Sequence, residues 1–178
     1  MSVRHPPIHV IAMGVSGTGK STVAKAAAEE LDLEFIEGDD YHPPANLEKM
    51  AEGVALTDED RLPWLRMLVS LVEQRDRQGT STILTCSALR RSYRDILRGA
   101  FAANDEFFLH LHADFDVLLE RMGQRQGHFM PPSLLQSQFD TLEPLEADES
   151  GTVIDVAPPK KEVVAAVVQA IRGLASQR

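Results

Sequence analysis

The sequence predicts an α/β fold, a three-layer sandwich with a five-stranded parallel sheet between two layers of helices. Three observations predict it. Short apolar runs rich in β-branched residues alternate with longer helical segments along the whole chain. The first run, Ile8–Met13, is apolar without alternation, the pattern of a strand buried on both faces. Between that run and the first helical segment lies a glycine-rich octapeptide, Gly14-Val15-Ser16-Gly17-Thr18-Gly19-Lys20-Ser21. At 178 residues, 43% of them hydrophobic, the chain suits a single domain spanning 1–178 with a real core.

The elements follow in order. Ser21 to Leu31 is made of good helix formers. Leu33–Glu37 reads as the second strand, expected to lie beside the first. It runs into Gly38-Asp39-Asp40-Tyr41-His42-Pro43-Pro44, a rigid loop at a strand's carboxyl end. Asn46–Glu52 reads as a short helix stopped by Gly53. Thr57 or Asp58 caps the next helix, which runs to about Gly79. Proline is tolerated in a first turn, so Pro63 places that helix's start near Leu62. Thr80–Thr85 is the third strand and Arg90–Arg98 a basic helix, with Arg94 and Arg98 expected outside. Glu106–Leu111 is the fourth strand, carrying His110 as a structural residue. Asp114 caps a helix through Met122. A flap at about 121–135 leads to a helix over 133–142. Thr152–Val156 is the last strand, and Pro158-Pro159 opens a helix with Val163, Val164, Val167, Val168 and Ile171 inward.

Composition narrows the function. Net charge is −9, which argues against a general nucleic-acid or anionic-membrane binder. One cysteine, Cys86, excludes an intramolecular disulfide and fits a reducing compartment, the cytoplasm. No apolar span is long enough for a transmembrane helix.

The octapeptide fits the phosphate-loop spacing in its required strand–loop–helix context. Its glycines let backbone approach phosphate oxygens, and the helix start adds a positive dipole end. Lys20 is placed for the β- and γ-phosphates of ATP and Ser21 for Mg²⁺. No aspartate ends the third strand, so the usual acidic partner of Mg²⁺ is missing there, and Asp39 is the candidate helper. Asp39 equally fits two roles: a base accepting the proton of an attacking hydroxyl, or a loop acid bonded to its own turn. Arg121, Arg125 and His128 share the flap, where cations suit phosphoryl transfer, although Arg121 fits a solvated helix face as well. Arg61, Arg90 and Arg91 are candidates to clamp an anionic substrate.

Several blocks together carry a family resemblance. They include Gly38-Asp39-x-x-His42-Pro43, Asp58-x-Asp60-Arg61-x-Pro63-Trp64-Leu65, Cys86-Ser87-Ala88-Leu89-x-x-x-Tyr93-Arg94-Asp95, Gly127-His128-Phe129 and Gln138-Phe139-x-x-Leu142-Glu143. With the phosphate loop, they resemble the bacterial-type gluconate kinases of the phosphate-loop kinase superfamily, from about Ile8 to Glu143. The family has lysine where this chain has Arg90. The resemblance implies a fold like the adenylate and shikimate kinases, with a mobile lid. It implies ATP-dependent phosphorylation of D-gluconate at its 6-hydroxyl, and members are often homodimers. It puts the loop residues Gly14 to Ser21 and Arg121 on ATP–Mg²⁺, and Asp39, His42, Arg61, Arg90 and His128 around the sugar acid. Lys20, Asp39 and Arg125 then carry the catalysis. The rival readings are a shikimate or nucleoside monophosphate kinase and a non-catalytic nucleotide sensor.

Overall fold

A computed structural model of the chain describes residues 5–99, 106–124 and 131–177. These residues form strands β1 (His9–Met13), β2 (Glu34–Glu37), β3 (Thr82–Thr85), β4 (Glu106–His112) and β5 (Gly151–Asp155). The helices are α1 (Lys20–Leu31), α2 (Pro44–Ala51), α3 (Asp58–Arg77), α4 (Arg91–Arg98), α5 (Phe115–Gln124), α6 (Pro132–Thr141) and α7 (Lys160–Ser176). The sheet is parallel throughout in the order β2-β3-β1-β4-β5. The expected fold and all five expected strands are present.

The order corrects one expectation. β2 pairs with β3, and β1 lies between β3 and β4. The loop after β2 therefore faces the phosphate loop across the end of β3. Because the strands are parallel, the loops after β1, β2 and β3 all emerge at one edge, where open α/β sheets bind ligands.

Side chains alternate across the strands and give two cores. Val10, Ala12, Ile83, Leu109 and Leu111 face α1 and α7. Ile11, Met13, Leu84 and Phe108 face α3 and α4. On α1 the inward residues are Val23, Ala24, Ala27 and Ala28, small enough for the helix to lie close to the sheet. On α7, Val163, Val167, Val168 and Ile171 are buried, and Val164 packs at the margin.

Helix α3 begins earlier than Pro63 suggested. Thr57 caps it: its hydroxyl accepts from the Asp60 N–H at 3.1 Å, and the Asp60 carboxylate accepts from the Thr57 N–H at 2.9 Å. This reciprocal box fixes the start at Asp58. Pro63 then stands in the second turn and removes the bond that would reach the carbonyl of Glu59, an exposed residue open to water. The burial of Trp64, Leu65 and Leu68 directly after it offsets that loss. Among the described residues, no helix is long and apolar enough to cross a membrane.

Candidate active site

The phosphate loop turns from β1 into α1 with Gly14, Gly17 and Gly19 at φ of 141°, 85° and 79°. A Cβ on Gly14 would stand 2.4 Å from the Leu111 carbonyl oxygen, so no other residue fits there. Lys20 Nζ donates to the carbonyls of Gly14 and Val15, each at 2.9 Å, and Thr18 Oγ1 donates to Val15 at 3.1 Å. Burial pulls the Lys20 pKa below the ordinary lysine value, against the opposing pull of Asp39, Cys86 and Glu37.

The loop's N–H groups do not all face the cleft. The Gly14 N–H donates to the Ser87 carbonyl at 3.1 Å. The Ser16 N–H donates to Gln138 Oε1 at 2.7 Å. Gly14, Val15 and Thr18 support the loop from behind, while Ser16, Gly17, Gly19, Lys20 and Ser21 line a cleft of about 700 Å³.

Asp39, His42, Arg61 and Arg90 line the same cleft. Asp39 sits on a 3₁₀ turn, Gly38–Tyr41, pressed onto the end of β3. A Cβ on Gly38 would lie 2.0 Å from the Thr85 carbonyl oxygen, and the Trp64 indole N–H donates to the Gly38 carbonyl at 2.8 Å. The His42 ring stacks on Trp64 with centroids 4.0 Å apart. Asn46 Nδ2 lies 3.3 Å from His42 Nδ1, and an amide nitrogen only donates. Nδ1 therefore accepts, and the neutral ring carries its proton on Nε2, 3.7 Å from Asp39 Oδ1. His42, and behind it Lys20, hold the Asp39 carboxyl below its ordinary pKa, against the effect of burial.

The opposite wall comes from α3 and α4. The Arg61 guanidinium lies over the Tyr93 ring, 5.4 Å from its centroid, and its buried Nε has no hydrogen-bond partner among the described residues. The Tyr93 hydroxyl donates to Asp58 Oδ1, and Arg90 Nη1 lies 3.4 Å from Asp58 Oδ2. Asp58 thus gathers the cationic wall from behind. Arg91 points away, pairing with Asp148 at 2.7 Å and with Glu146.

Arg94 and Arg98 are not exterior. Arg94 is fully buried, and its Nε and Nη2 donate to the two oxygens of Glu149 at 2.7 and 3.0 Å. Its Nη1 donates to the Ala88 carbonyl at 2.9 Å, bracing a loop in which Ala88 adopts φ of 45°. Arg98 also binds Glu149. Burial pushes the Glu149 carboxyl up, but the bonds from Arg94, the Glu146 N–H and Arg98 bring it to about 2. Sequence missed this pair because the residues are 55 positions apart and a run of arginines reads as a solvated face.

Two other placements differ from expectation or add to it. Arg121 lies away from the cleft and donates to the Ala157 carbonyl at 3.1 Å. Arg125 and His128 lie outside the described residues. Glu37, not singled out from sequence, ends β2 in the cleft and accepts from the Thr85 hydroxyl at 2.6 Å. Its signal was available: an acid ending the strand beside the one that lacks it. The oxygens of Ser21, Glu37 and Asp39 in one cleft are the hard donors that suit Mg²⁺. Cys86 is buried, and burial pushes its thiol up to about 12, so it stays protonated and inert.

Comparison with known proteins agrees with this geometry. Residues 10–145 match the family model described as an AAA domain. A thermoresistant gluconokinase of Escherichia coli is 41% identical over 175 residues, covering 97% of this chain and 98% of that protein. A gluconokinase of Gluconobacter oxydans is 48% identical over 143 residues, covering 80% of this chain and 79% of that protein. Among solved structures, a gluconokinase from Sinorhizobium meliloti superposes with a TM-score of 0.86 at 44% identity, covering 97% of this chain and 96% of that one.

Proposed function

The chain belongs to the gluconokinase family, and from that premise we propose how its cleft phosphorylates gluconate. The enzyme uses ATP to convert D-gluconate to 6-phospho-D-gluconate. The observation that carries the reading is one cleft joining a phosphate loop, a carboxylate and two cations.

Lys20 and the loop hold the triphosphate. Asp39 accepts the proton of the 6-hydroxyl as that oxygen bonds to the γ-phosphorus and the bond to the β-phosphate oxygen breaks, releasing ADP. A carboxyl held low is a weak base, but the hydroxyl loses its proton only as the bond to phosphorus forms, so positioning dominates. His42, seated by Trp64 and Asn46, orients Asp39. Arg61, with an unspent Nε, and Arg90 bind the sugar-acid carboxylate. Ser21 would hold Mg²⁺ with Asp39 or Glu37 as further oxygen donors, and the ion would supply charge neutralisation on the phosphates. Arg125 and His128 stay in the proposal as lid cations on the strength of the sequence; Arg121, turned away to the Ala157 carbonyl, does not.

The test is an ADP-release assay with gluconate, shikimate, AMP and CMP as acceptors. Turnover with gluconate above all others is expected. No turnover with gluconate, with turnover on another acceptor, overturns the reading. Nucleotide bound without transfer in a single-turnover experiment would make the protein a sensor.

A further inference from the structure

Helix α6 turns Leu134, Ser137, Gln138 and Thr141 toward the cleft, the i, i+3, i+4, i+7 face. Gln138 spends both ends of its carboxamide on one residue of the phosphate loop. Its Oε1 accepts from the Ser16 N–H at 2.7 Å, and its Nε2 donates to Ser16 Oγ at 3.0 Å. Five residues later the same segment grips the acceptor wall. The Glu143 N–H donates to the Leu89 carbonyl at 2.7 Å, and Glu143 Oε2 accepts from the Arg91 N–H at 2.6 Å. Leu89 and Arg91 flank Arg90, the N-cap of α4, whose own side chain makes no cap bond. Glu143 therefore supplies from afar the negative cap that α4 lacks. Between the two grips, Leu142 packs against both cores.

We propose that Gln138 is a positioning residue, and that the segment 138–143 is a tie coupling nucleotide occupancy of the phosphate loop to gluconate binding at Arg90. The inference rests on the gluconokinase reading of the cleft. A two-point carboxamide bond fixes both the distance and the rotation of α6 relative to the loop. The last helical turn and its exit at Leu142 are short and packed on two sides, so little slack separates the grips. Whatever shift phosphates impose at Ser16 is delivered to the backbone on either side of Arg90. Linkage makes the effect reciprocal.

Calorimetry on the full chain tests it, titrating gluconate with and without Mg²⁺ and a non-hydrolysable ATP analogue. In the unaltered protein the analogue should lower the gluconate Kd about five-fold or more. In Gln138→Ala that factor should fall to near one, while the Kd without analogue stays within about two-fold and thermal unfolding keeps its midpoint, since a merely structural role would move the midpoint instead. Gln138→Leu keeps most of the side-chain volume and loses both bonds to Ser16; it should lose the coupling in the same way, and it carries the test if Gln138→Ala does not fold. Gluconate bound and turned over, with no tightening by the analogue in the unaltered protein or with tightening undiminished in the variants, overturns the tie and spares the kinase. No binding or turnover of gluconate at all overturns the kinase reading itself.

Discussion

Helices α1 and α7 cover one face of the sheet with valine, alanine and isoleucine, whereas α3 and α4 cover the other with Trp64, Tyr93 and Arg94 among the leucines. The first face is apolar except for Thr85 at the cleft edge, while the second buries His9, Arg94, His110 and Glu149. The functional halves divide the same way. The phosphate loop leads into α1, and its work is done by backbone and one lysine. The acceptor wall is built from α3, α4 and the 3₁₀ turn, and its work is done by side chains. Backbone chemistry asks its support only to be rigid, and close-packed small residues suffice. Side-chain chemistry needs each polar group aimed, and aiming a buried polar group takes another buried polar group.

The contrast breaks most visibly at Arg94. Arg94→Met removes the two-point partner of a fully buried carboxylate, leaving Arg98 and the Glu146 N–H as its donors, and should cost about 3 kcal/mol by chemical denaturation. A loss below about 1 kcal/mol would mean that the polar face needs no such pair. The donor half comes next. Lys20→Ala should lower kcat by about 10²–10³ with the unfolding midpoint retained, because the lysine stabilises charge in transfer; an unchanged kcat removes the loop from the mechanism. Asp39→Asn should keep nucleotide affinity and lose about 10² in kcat, since the amide keeps shape without basicity. Activity persisting at tens of per cent of the unaltered level makes Asp39 a positioner only.

Legibility in the sequence followed the same division. The phosphate loop is eight consecutive residues, and the apolar face is a periodic pattern, so both are local, and the strand–loop–helix turn and the inward face of α7 stand where the sequence places them. The acceptor wall could be named residue by residue, yet its supports could not. The Trp64–Gly38, Tyr93–Asp58 and Arg94–Glu149 contacts join positions 26, 35 and 55 apart. Nothing local marks a buried arginine, and the run Arg90–Arg98 reads as if Arg94 were exterior. Pro63 misleads for a related reason: its preference for a first turn is outweighed by a capping box whose N-cap, Thr57, lies six residues earlier and by an apolar face behind it.

The polar face should also set the response to acid. Neither ring nitrogen of His110 has a hydrogen-bond partner among the described residues. Burial first, then the charges of His112, Arg94 and Lys20, bring its pKa down to about 4. The ring stays neutral in the fold while the unfolded chain protonates it below about 6.5. Its contribution is therefore whole above that value and is lost as pH falls from about 6.5 toward 4. Between pH 7 and 5 this should remove roughly 2 kcal/mol of stability, read from urea midpoints. His110→Leu should flatten the slope in that window, leaving the separate loss below about pH 4.5 that belongs to carboxylates such as Glu149. An unaltered slope in the variant would show that the acid response comes from another group.

The finest cut between the halves is Tyr93→Phe. The change keeps the ring that Arg61 covers and removes only the hydroxyl that donates to Asp58. Asp58 is substantially exposed, so water replaces the lost donor, and Arg90 remains its ion-pair partner. The cost should be about 1 kcal/mol, the net value of one such bond. Arg61 and Arg90 are the groups whose aim depends on it, so the cost should appear as a rise of about five-fold in KM for gluconate. KM for ATP and kcat should hold within about two-fold, because the phosphate loop rests on the other face. Equal rises in both KM values would show that the hydroxyl serves the whole cleft, and that the faces are not as independent as their composition makes them.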